Sequence, residues 1–199
     1  MNGKWQRAFM GAMITAALTV GAFAALKPGE QAPKFTAQAS LAGKDFTFSL
    51  RQALAKGPVV VYFFPSAFTQ GCDIEAHTFA TEKAKFTAVG ATVIGVSADS
   101  IQRLNAFSVD PKYCAKQFAV ASDAGLKIAK EYGLKTFAGR PGMKDVRGVD
   151  IGHPFIERTT FVINKAGRIV AVYSSQADHI SAAQHVAKAL AEVQKLQAE

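Results

Sequence analysis

An unbroken apolar run, VVVYFF at residues 59–64, constrains the fold of this chain more than any other stretch. The run is short and rich in β-branched and aromatic residues, which is typical of a strand buried on both faces of a sheet. Pro65 ends the run, turn-forming residues follow, and from Cys72 onward the apolar residues recur at helical spacing. The sequence therefore predicts a central strand that leads through a tight turn into a helix, with Cys72 at the helix start.

The predicted position of Cys72 has a chemical consequence. The first turn of a helix carries unpaired N–H groups and a partial positive charge, and both stabilise a thiolate, the nucleophilic form of cysteine. Thr69 lies three residues earlier, where its hydroxyl would either cap the helix or hydrogen-bond a substrate oxygen beside the sulfur. Because position 69 is not a cysteine, the C-x-x-C pair of thioredoxin-type dithiols is missing, which favours attack on an oxygen-rich substrate. The alternative is a buried structural cysteine without a chemical role.

Strand and helix patterns alternate along the rest of the chain. They predict, in order, a hairpin over 35–50, a short helix over 50–55 capped by Ser49, a second buried strand over 91–98, a short strand over 118–121, a helix over 124–132 capped by Asp123, a long loop over 135–157, a hairpin over 159–173 and a closing amphipathic helix over 181–196. The loop is expected to contain one extended piece and to lie over the carboxyl edge of the sheet. This order predicts an α/β fold in which helices flank a mixed sheet.

The segment over 101–117 is helical in character but is interrupted near Pro111. We therefore predict two short helical pieces, with Cys114 on the second. The neighbours of Cys114 are mostly polar, which predicts that this cysteine is accessible to solvent, unlike a typical core cysteine.

The N-terminus has the pattern of a secretory signal peptide. Lys4 and Arg7 form a basic start, residues 8–24 are nearly all apolar or small, and this stretch ends in an A-x-A cleavage site. We expect residues 1–24 to be removed on export to the periplasm, which leaves a single domain over 25–199. The alternative is a retained membrane anchor, because the apolar stretch is just long enough to span a bilayer.

The charge and histidine patterns argue against two kinds of site. The net charge is +8, but no Lys/Arg run exceeds two residues and no basic patch with interleaved aromatics occurs, so nucleic-acid binding is not expected. The histidines are scattered and lack the spacing of metal ligands, so each is expected to be an ordinary surface or core residue. They are His77, His153, His179 and His185.

Two stretches of the chain resemble one known family. Residues 65–72, PSAFTQGC, resemble the P-x-x-x-T-x-x-C signature of the peroxiredoxins, and the continuation GCDIEA resembles their Q-type, or bacterioferritin-comigratory-protein-like, branch. Residues 158–164, RTTFVIN, resemble a second element of that family, in which an arginine opens a strand and lies beside the reactive sulfur. The resemblance covers most of the chain from Lys34 onward. It implies a thioredoxin-like fold of the peroxiredoxin type, with a mixed central sheet flanked by helices.

The resemblance also implies a thiol peroxidase that needs neither a metal nor an organic cofactor. The Cys72 thiolate would attack the terminal peroxide oxygen and become a sulfenic acid. Thr69, Arg158 and N–H groups at the helix start would stabilise the charge that develops on the oxygens. Pro65 would shield the sulfur and shape the pocket.

Elementary electrostatics supports the implied role of Arg158. A guanidinium stays charged at any working pH, lowers the pKa of a neighbouring thiol and can hydrogen-bond peroxide oxygens. Taken alone, however, an arginine at a strand start is usually just solvated. Glu75, one helical turn after Cys72, would either orient Arg158 or lie at the surface as an ordinary carboxylate, and both interpretations stay open at this point.

The resemblance implies two routes by which the oxidised sulfur is resolved. Some Q-type relatives carry a second cysteine five residues after the first, but that position here is His77. Others carry it on the helix after the next strand, where Cys114 lies. This implies a Cys72–Cys114 disulfide that a thioredoxin-like dithiol protein reduces. The alternative is that Cys114 is inert and that an external thiol reduces the enzyme.

The expected partners are a peroxide substrate and a thioredoxin-like dithiol reductant. We expect no nucleic acid, membrane contact only if the N-terminal segment is uncleaved, and a monomer or weak dimer. Two other classes stay open. One is an exported thioredoxin-like protein without enzymatic activity, held by a structural Cys72–Cys114 disulfide, and the other is a thiol–disulfide oxidoreductase that acts on proteins.

Overall fold

A computed structural model describes residues 24–198 of the chain. The predicted signal peptide over residues 1–24 therefore lies outside the described residues except for Ala24. The described part forms, in order, β1 (Thr36–Leu41), β2 (Lys44–Ser49), α1 (Leu50–Leu54), β3 (Val59–Phe63), α2 (Gln70–Ala88), β4 (Thr92–Ser97), α3 (Ile101–Val109), β5 (Ala119–Ser122), α4 (Lys127–Glu131), β6 (Thr136–Phe137), β7 (Phe155–Ile156), β8 (Thr159–Ile163), β9 (Ile169–Ser174) and α5 (Ala182–Ala198). None of the helices over 24–198 has the length and hydropathy that a membrane span requires.

One mixed sheet organises the described residues. Its strands lie in the order β2–β1–β5–β4–β3–β8–β9. β4 pairs in parallel with β3 on one side and with β5 on the other, whereas the remaining pairs of the sheet are antiparallel. All five residues of β3 are buried between β4 and β8, as the apolar run predicts. The predicted α/β fold with a mixed sheet is therefore confirmed.

Helices cover both faces of this sheet. α2, α3 and α5 pack on one face, and α1 and α4 pack on the other, each over its own apolar cluster. Burying one large apolar side chain contributes roughly 1.5–3 kcal/mol, so the two clusters together hold the layers in place. Representative buried side chains are Phe79, Leu104 and Val186 on the first face, and Leu50, Ile128 and Tyr132 on the second.

The two predicted hairpins and the predicted cap of α1 are confirmed. The β1–β2 turn uses Ala42 and Gly43, both in the left-handed region, with φ of 52° and 76°. The Ser49 hydroxyl accepts a hydrogen bond from the N–H of Gln52 at 3.5 Å and caps α1, as predicted. The predicted closing hairpin is formed by β8 and β9.

The predicted second helical piece around Cys114 is wrong. Residues 110–116 form successive turns after α3 instead of a helix. Pro111 has no N–H to donate, and the carbonyl of Asp110 accepts hydrogen bonds from two N–H groups that follow it. Ala115 and Lys116 have φ of 49° and 62°, so the backbone there is left-handed and a right-handed helix is not continued.

The region after β5 differs from the prediction in two places, the start of α4 and the long loop. α4 begins at Lys127, not at position 124, although the Asp123 carboxylate does accept from the N–H groups of Ile128 and Ala129 at 3.1 and 2.8 Å. Within the predicted long loop, β6 and β7 pair with each other as a small antiparallel sheet. The loop contains a further turn in which Asp145 accepts hydrogen bonds from following N–H groups. The Asp145 carboxylate thus stabilises a turn inside this loop.

Candidate active site

Cys72 lies where the central strand passes into a helix, as the sequence predicts. Thr69 precedes α2 in an extended conformation, and Cys72 is the third residue of that helix. The side chain of Cys72 is buried, with 2% of its surface exposed. Its own N–H donates to the carbonyl of Thr69 at 2.9 Å, so this N–H is engaged within the turn. The sulfur therefore sits in the positive first turn of a long helix, closed off from bulk solvent.

Arg158 contacts the sulfur from the neighbouring strand. It directly precedes β8, and Thr159 of β8 pairs with Phe63 at the end of β3. This register brings the guanidinium to Cys72, where Nη2 donates to Sγ at 3.2 Å. The alternative of a merely solvated arginine does not hold here, because the strand pairing fixes Arg158 beside the thiol.

Glu75 orients Arg158 and is not a surface carboxylate. It is fully buried on α2, one turn after Cys72, and its Oε2 accepts from Nη1 of Arg158 in a close ion pair. Burial raises the pKa of Glu75 to about 7, while the charge and hydrogen bond of Arg158 act in the opposite direction. The guanidinium therefore bridges two acidic groups, the carboxyl of Glu75 and the thiol of Cys72.

Opposing influences act on the acidity of Cys72. Burial raises its pKa above the ordinary value and is the largest effect. The charge of Arg158 and a hydrogen bond from the main chain at Ser66 lower the pKa. Because Arg158 is the largest of the favourable influences, the thiolate of Cys72 depends on that guanidinium more than on any other group.

Thr69 does not cap α2 with its side chain. Its Oγ1 donates to the carbonyl of Ser66 at 2.8 Å, and no side-chain cap hydrogen bond is formed. Since its hydrogen is used in this way, the Thr69 hydroxyl can act only as an acceptor toward a further partner. Pro65 is half-buried and opens the same turn directly after the strand.

The prediction that Cys114 is accessible is wrong. Its side chain is fully buried in the same apolar cluster as Cys72. The turns of 110–116 fold it inward, and the Tyr113 ring stacks on Phe107 with a centroid distance of 5.1 Å. Burial raises the pKa of Cys114 well above its ordinary value. Both cysteines are free thiols in this structure.

Sequence reasoning missed a buried polar network that fixes the turn before α2. The Asp99 carboxylate accepts from the N–H of Ala67 at 2.8 Å, from Nε of Arg103 at 2.7 Å and from Nε2 of His153 at 2.9 Å. Burial alone would raise the pKa of Asp99, but the hydrogen bond and charge of His153 hold it below the usual value. The available signal was an acidic residue directly after the predicted buried strand over 91–98.

A second part of the network holds Phe68, the residue before Thr69. Phe68 is buried with φ of 59°, and the guanidinium of Arg147 lies over its ring at 3.2 Å from the centroid. Arg147 is paired with Asp145 at 2.7 Å, and Asp145 is paired with Arg103 at 2.8 Å. The long loop therefore clamps the turn that carries Thr69.

The described histidines behave as core and surface residues. His185 is fully buried, His153 is partly buried in the network around Asp99, and His77 and His179 are exposed. Over residues 24–198, no cluster of three or more His, Cys, Asp or Glu side chains is arranged to bind a metal.

The sequence and the fold of this chain are both similar to those of known proteins. Residues 28–172 match the AhpC/TSA family. The chain is similar to a chloroplastic peroxiredoxin Q of Populus jackii, with 35% identity over 156 residues that cover 77% of this chain and 63% of the relative. The chain thus spans less than two thirds of that relative's length.

Two solved structures share the fold at higher coverage. The peroxidoxin BcpB of Mycobacterium tuberculosis superimposes with a TM-score of 0.70 at 28% identity, covering 85% of this chain and 97% of the other. A bacterioferritin comigratory protein of Xanthomonas campestris, solved in trapped intermediate and ligand complexes that concern its alkyl peroxide reduction activity, has a TM-score of 0.62 at 25% identity. It covers 80% of this chain and 91% of its own.

Proposed function

This chain belongs to the AhpC/TSA family, in its peroxiredoxin Q branch, and we propose that it is a thiol peroxidase that reduces hydrogen peroxide and organic hydroperoxides through Cys72. The observation that carries the proposal is the contact of 3.2 Å between the Arg158 guanidinium and the Cys72 sulfur in the first turn of α2. The similarity to the Xanthomonas protein supports the inclusion of organic hydroperoxides among the substrates.

In the first step, the Cys72 thiolate attacks the terminal oxygen of the peroxide. The O–O bond breaks, Cys72 becomes a sulfenic acid, and the other oxygen leaves and takes a proton to form water or an alcohol. Arg158 stabilises the negative charge on the sulfur and on the reacting oxygens. Thr69 accepts a hydrogen bond from the peroxide O–H, because its own hydrogen is given to Ser66. Pro65 keeps water from the sulfur.

In the second step, Cys114 resolves the sulfenic acid. Its sulfur attacks the sulfur of Cys72, the S–O bond breaks, and the hydroxyl leaves as water after it takes up the thiol proton. The two Cα atoms must come within about 7 Å for this bond. Because Cys72 is in a packed helix and Cys114 is fully buried, we expect one or two turns at the start of α2 and the turns of 110–116 to unwind when this bond forms. A thioredoxin-like dithiol protein then reduces the disulfide.

The intact mass of the reduced protein, before and after one equivalent of hydrogen peroxide, tests the proposal. We expect wild type to lose two hydrogens, as one disulfide forms, and we expect the Cys114→Ser variant to gain one oxygen instead. Peroxide-dependent consumption of a dithiol would then separate a peroxidase from a thiol–disulfide oxidoreductase. An unchanged mass after peroxide treatment would contradict the proposal.

We also propose that residues 1–24 direct export to the periplasm and are removed, and that the mature protein is a monomer or weak dimer. The support is the sequence pattern of a basic start, an apolar stretch and an A-x-A site. N-terminal sequencing of protein from a periplasmic fraction should find Ala25 first, and sedimentation of the same fraction reports its assembly. An intact Met1 in a membrane fraction would replace cleavage with anchoring.

A further inference from the structure

A buried histidine lies behind the pair formed by Glu75 and Arg158. His185 on α5 is fully buried, and both of its ring nitrogens contact hydroxyls. Nδ1 lies 2.9 Å from Oγ1 of Thr160, and Nε2 lies 2.8 Å from Oγ of Ser175. Nδ1 also lies 4.0 Å from Oε1 of Glu75. The histidine therefore connects the site around Cys72 to the half-buried Ser175.

The hydrogen bonds decide which nitrogen of His185 carries the hydrogen. Thr160 is fully buried, so its hydroxyl hydrogen needs an acceptor, and in the described part of the chain that acceptor is Nδ1 of His185. The ring hydrogen then lies on Nε2 and is donated to Ser175. Nδ1, the ring nitrogen of His185 nearer to Glu75, therefore carries no hydrogen, and its lone pair accepts from Thr160.

Glu75 has one oxygen without a partner. Its Oε2 accepts from Arg158, whereas Oε1 is buried and has no hydrogen bond among residues 24–198. A charged carboxylate oxygen without a hydrogen-bond donor in a dry interior is unfavourable. Nδ1 of His185 lies 4.0 Å from Oε1, has no hydrogen to give, and also takes the hydroxyl hydrogen of Thr160. Because His185 leaves Oε1 without a donor in this way, it favours the neutral form of Glu75.

We propose that His185 is a positioning residue that holds Glu75 in its protonated form, so that the charge of Arg158 acts on Cys72 alone. The proposal rests on the peroxidase function proposed above. One guanidinium contacts two groups that can become anions, and it can fully balance only one of them. With Glu75 neutral, Arg158 and the Cys72 thiolate form a balanced pair. With Glu75 ionised, the charge of Arg158 is already compensated and the thiolate loses its main support.

The surrounding charges agree with this arrangement. Burial raises the pKa of Glu75 to about 7, and burial together with the charge of Arg158 lowers the pKa of His185 to about 4, so near neutral pH His185 is uncharged. Asp178, from the segment before α5, acts in the opposite direction on His185 but is the weaker influence. On β3, the Tyr62 hydroxyl is also buried and has no hydrogen-bond partner among residues 24–198, and burial keeps this phenol neutral. Arg158 is thus the fixed charge that faces Glu75.

The test removes the histidine and measures the acidity of Cys72. In His185→Leu, the Thr160 hydroxyl loses its acceptor and becomes free to donate to Oε1 of Glu75, which stabilises the ionised carboxylate. We expect the apparent pKa of Cys72 to rise by about one unit, which is about a tenfold lower thiolate fraction near neutral pH. The rate of Cys72 alkylation by iodoacetamide against pH, followed by mass, reports this pKa. At high pH the alkylation rate should equal that of wild type.

Two further variants separate this role from a packing role. Glu75→Gln is permanently neutral, so in a Glu75→Gln background His185→Leu should no longer change the pKa of Cys72. Ser175→Ala removes the contact at Nε2 but leaves Nδ1 in place, and it should shift the pKa of Cys72 much less than His185→Leu does. His185→Phe keeps a planar ring but offers no nitrogen acceptor to Thr160, and it serves if His185→Leu does not fold.

Three results would overturn the proposal. They are an unchanged or lowered pKa of Cys72 in a folded His185 variant, an equal shift in the Glu75→Gln background, and an equal shift in Ser175→Ala. Alkylation reports thiol acidity and not peroxide turnover. If wild type failed to reduce peroxide while the coupling of His185, Glu75 and Cys72 held, only the proposed function would fail.

Discussion

The two cysteines share one apolar cluster but have opposite electrostatic surroundings. Cys72 lies in the positive first turn of α2 and accepts a hydrogen bond from Arg158. Cys114 lies under turns that follow α3, where Asp73 and Asp110 add to the effect of burial and raise its pKa. Burial alone disfavours both thiolates, so the difference between the two sulfurs comes from the charges placed beside them. The charges beside Cys72 offset part of the effect of burial on its pKa, whereas the charges beside Cys114 add to that effect.

The difference extends to how each cysteine is held. Cys72 is part of a helix of 19 residues whose preceding turn is tied to Asp99, Arg103 and the long loop. Cys114 is held by a few turns with two left-handed residues next to it. Since short turns open at a lower free-energy cost than a packed helix, we expect the Cys114 side to move first in the proposed disulfide formation.

The largest expected effect separates the two cysteines completely. Cys72→Ser should abolish peroxide reduction, because a serine hydroxyl stays protonated and is a poor nucleophile here. The matched Cys114→Ser variant should keep the first turnover, since its substitution leaves Arg158 and α2 unchanged. Single-turnover peroxide consumption measures both. Near-wild-type turnover in Cys72→Ser would remove the distinction between the two sulfurs.

The next largest effect is expected when the positive charge of Arg158, which distinguishes the surroundings of Cys72, is removed. Arg158→Ala should slow the reaction with peroxide about a hundredfold or more, by analogy with the loss of one transition-state donor. Arg168→Ala is the control, because Arg168 is exposed on the β8–β9 turn and donates to a main-chain carbonyl. Second-order rate constants and circular dichroism of both variants are the measurements. If the two variants react equally fast, the thiolate of Cys72 does not depend on Arg158.

A smaller effect tests whether Cys114 completes the cycle. In Cys114→Ser, the sulfenic acid of Cys72 persists, so it should over-oxidise to sulfinic acid several-fold faster than in wild type, and a thioredoxin-like donor should recycle it poorly. Mass spectrometry under repeated peroxide doses follows the products. If the variant cycles as fast as wild type with the same donor, and over-oxidises no faster, Cys114 is a bystander and the enzyme is of the one-cysteine kind.

The smallest expected effect concerns Asp73, which directly follows Cys72 and adds to the effect of burial in raising the pKa of Cys114. Burial raises the pKa of Asp73 to about 6, with Asp145 and Asp110 acting in the same direction. The folded protein then holds a proton that the unfolded chain has released, so the free energy of unfolding falls as pH rises from about 4 to about 6. Because Asp73 is about half exposed, we expect this fall to be only about 1 kcal/mol.

Asp73→Asn should remove this decline and should also lower the pKa of Cys114. Urea unfolding of wild type and variant at both ends of that pH range measures the first effect, and alkylation of Cys114 against pH measures the second. A difference in stability between the two proteins that does not change with pH would show that Asp73 does not titrate as stated.

Elements with a strong local signal were predictable from the sequence. The apolar run defined β3, Pro65 marked its end, and the helical spacing after it placed Cys72 at a helix start. The position of Arg158 beside the sulfur followed from family resemblance, and the pairing of β8 with β3 explains it physically. These features depend on residues close in sequence or on one strand pairing.

The rest depends on contacts that bring distant segments together. The burial of Cys114 could not be predicted, because its polar neighbours face solvent while left-handed turns at Ala115 and Lys116 direct the thiol inward. The network around Asp99 joins β4, α3 and the long loop, and no local pattern links Asp99 to His153. Tertiary structure, not local propensity, decides both.

The pairing of β8 with β3 also makes the reactivity of Cys72 a late event in the life of the chain. Val59 pairs with Ile163, so β3 waits for a strand that the ribosome supplies only after the next two strands of the sheet. Until β8 has been synthesised and has docked, Arg158 is not beside the sulfur and Cys72 is an ordinary thiol. We therefore expect a nascent or incompletely folded chain to carry a cysteine with little reactivity toward peroxide, and Cys72 to become reactive only once β8 has docked.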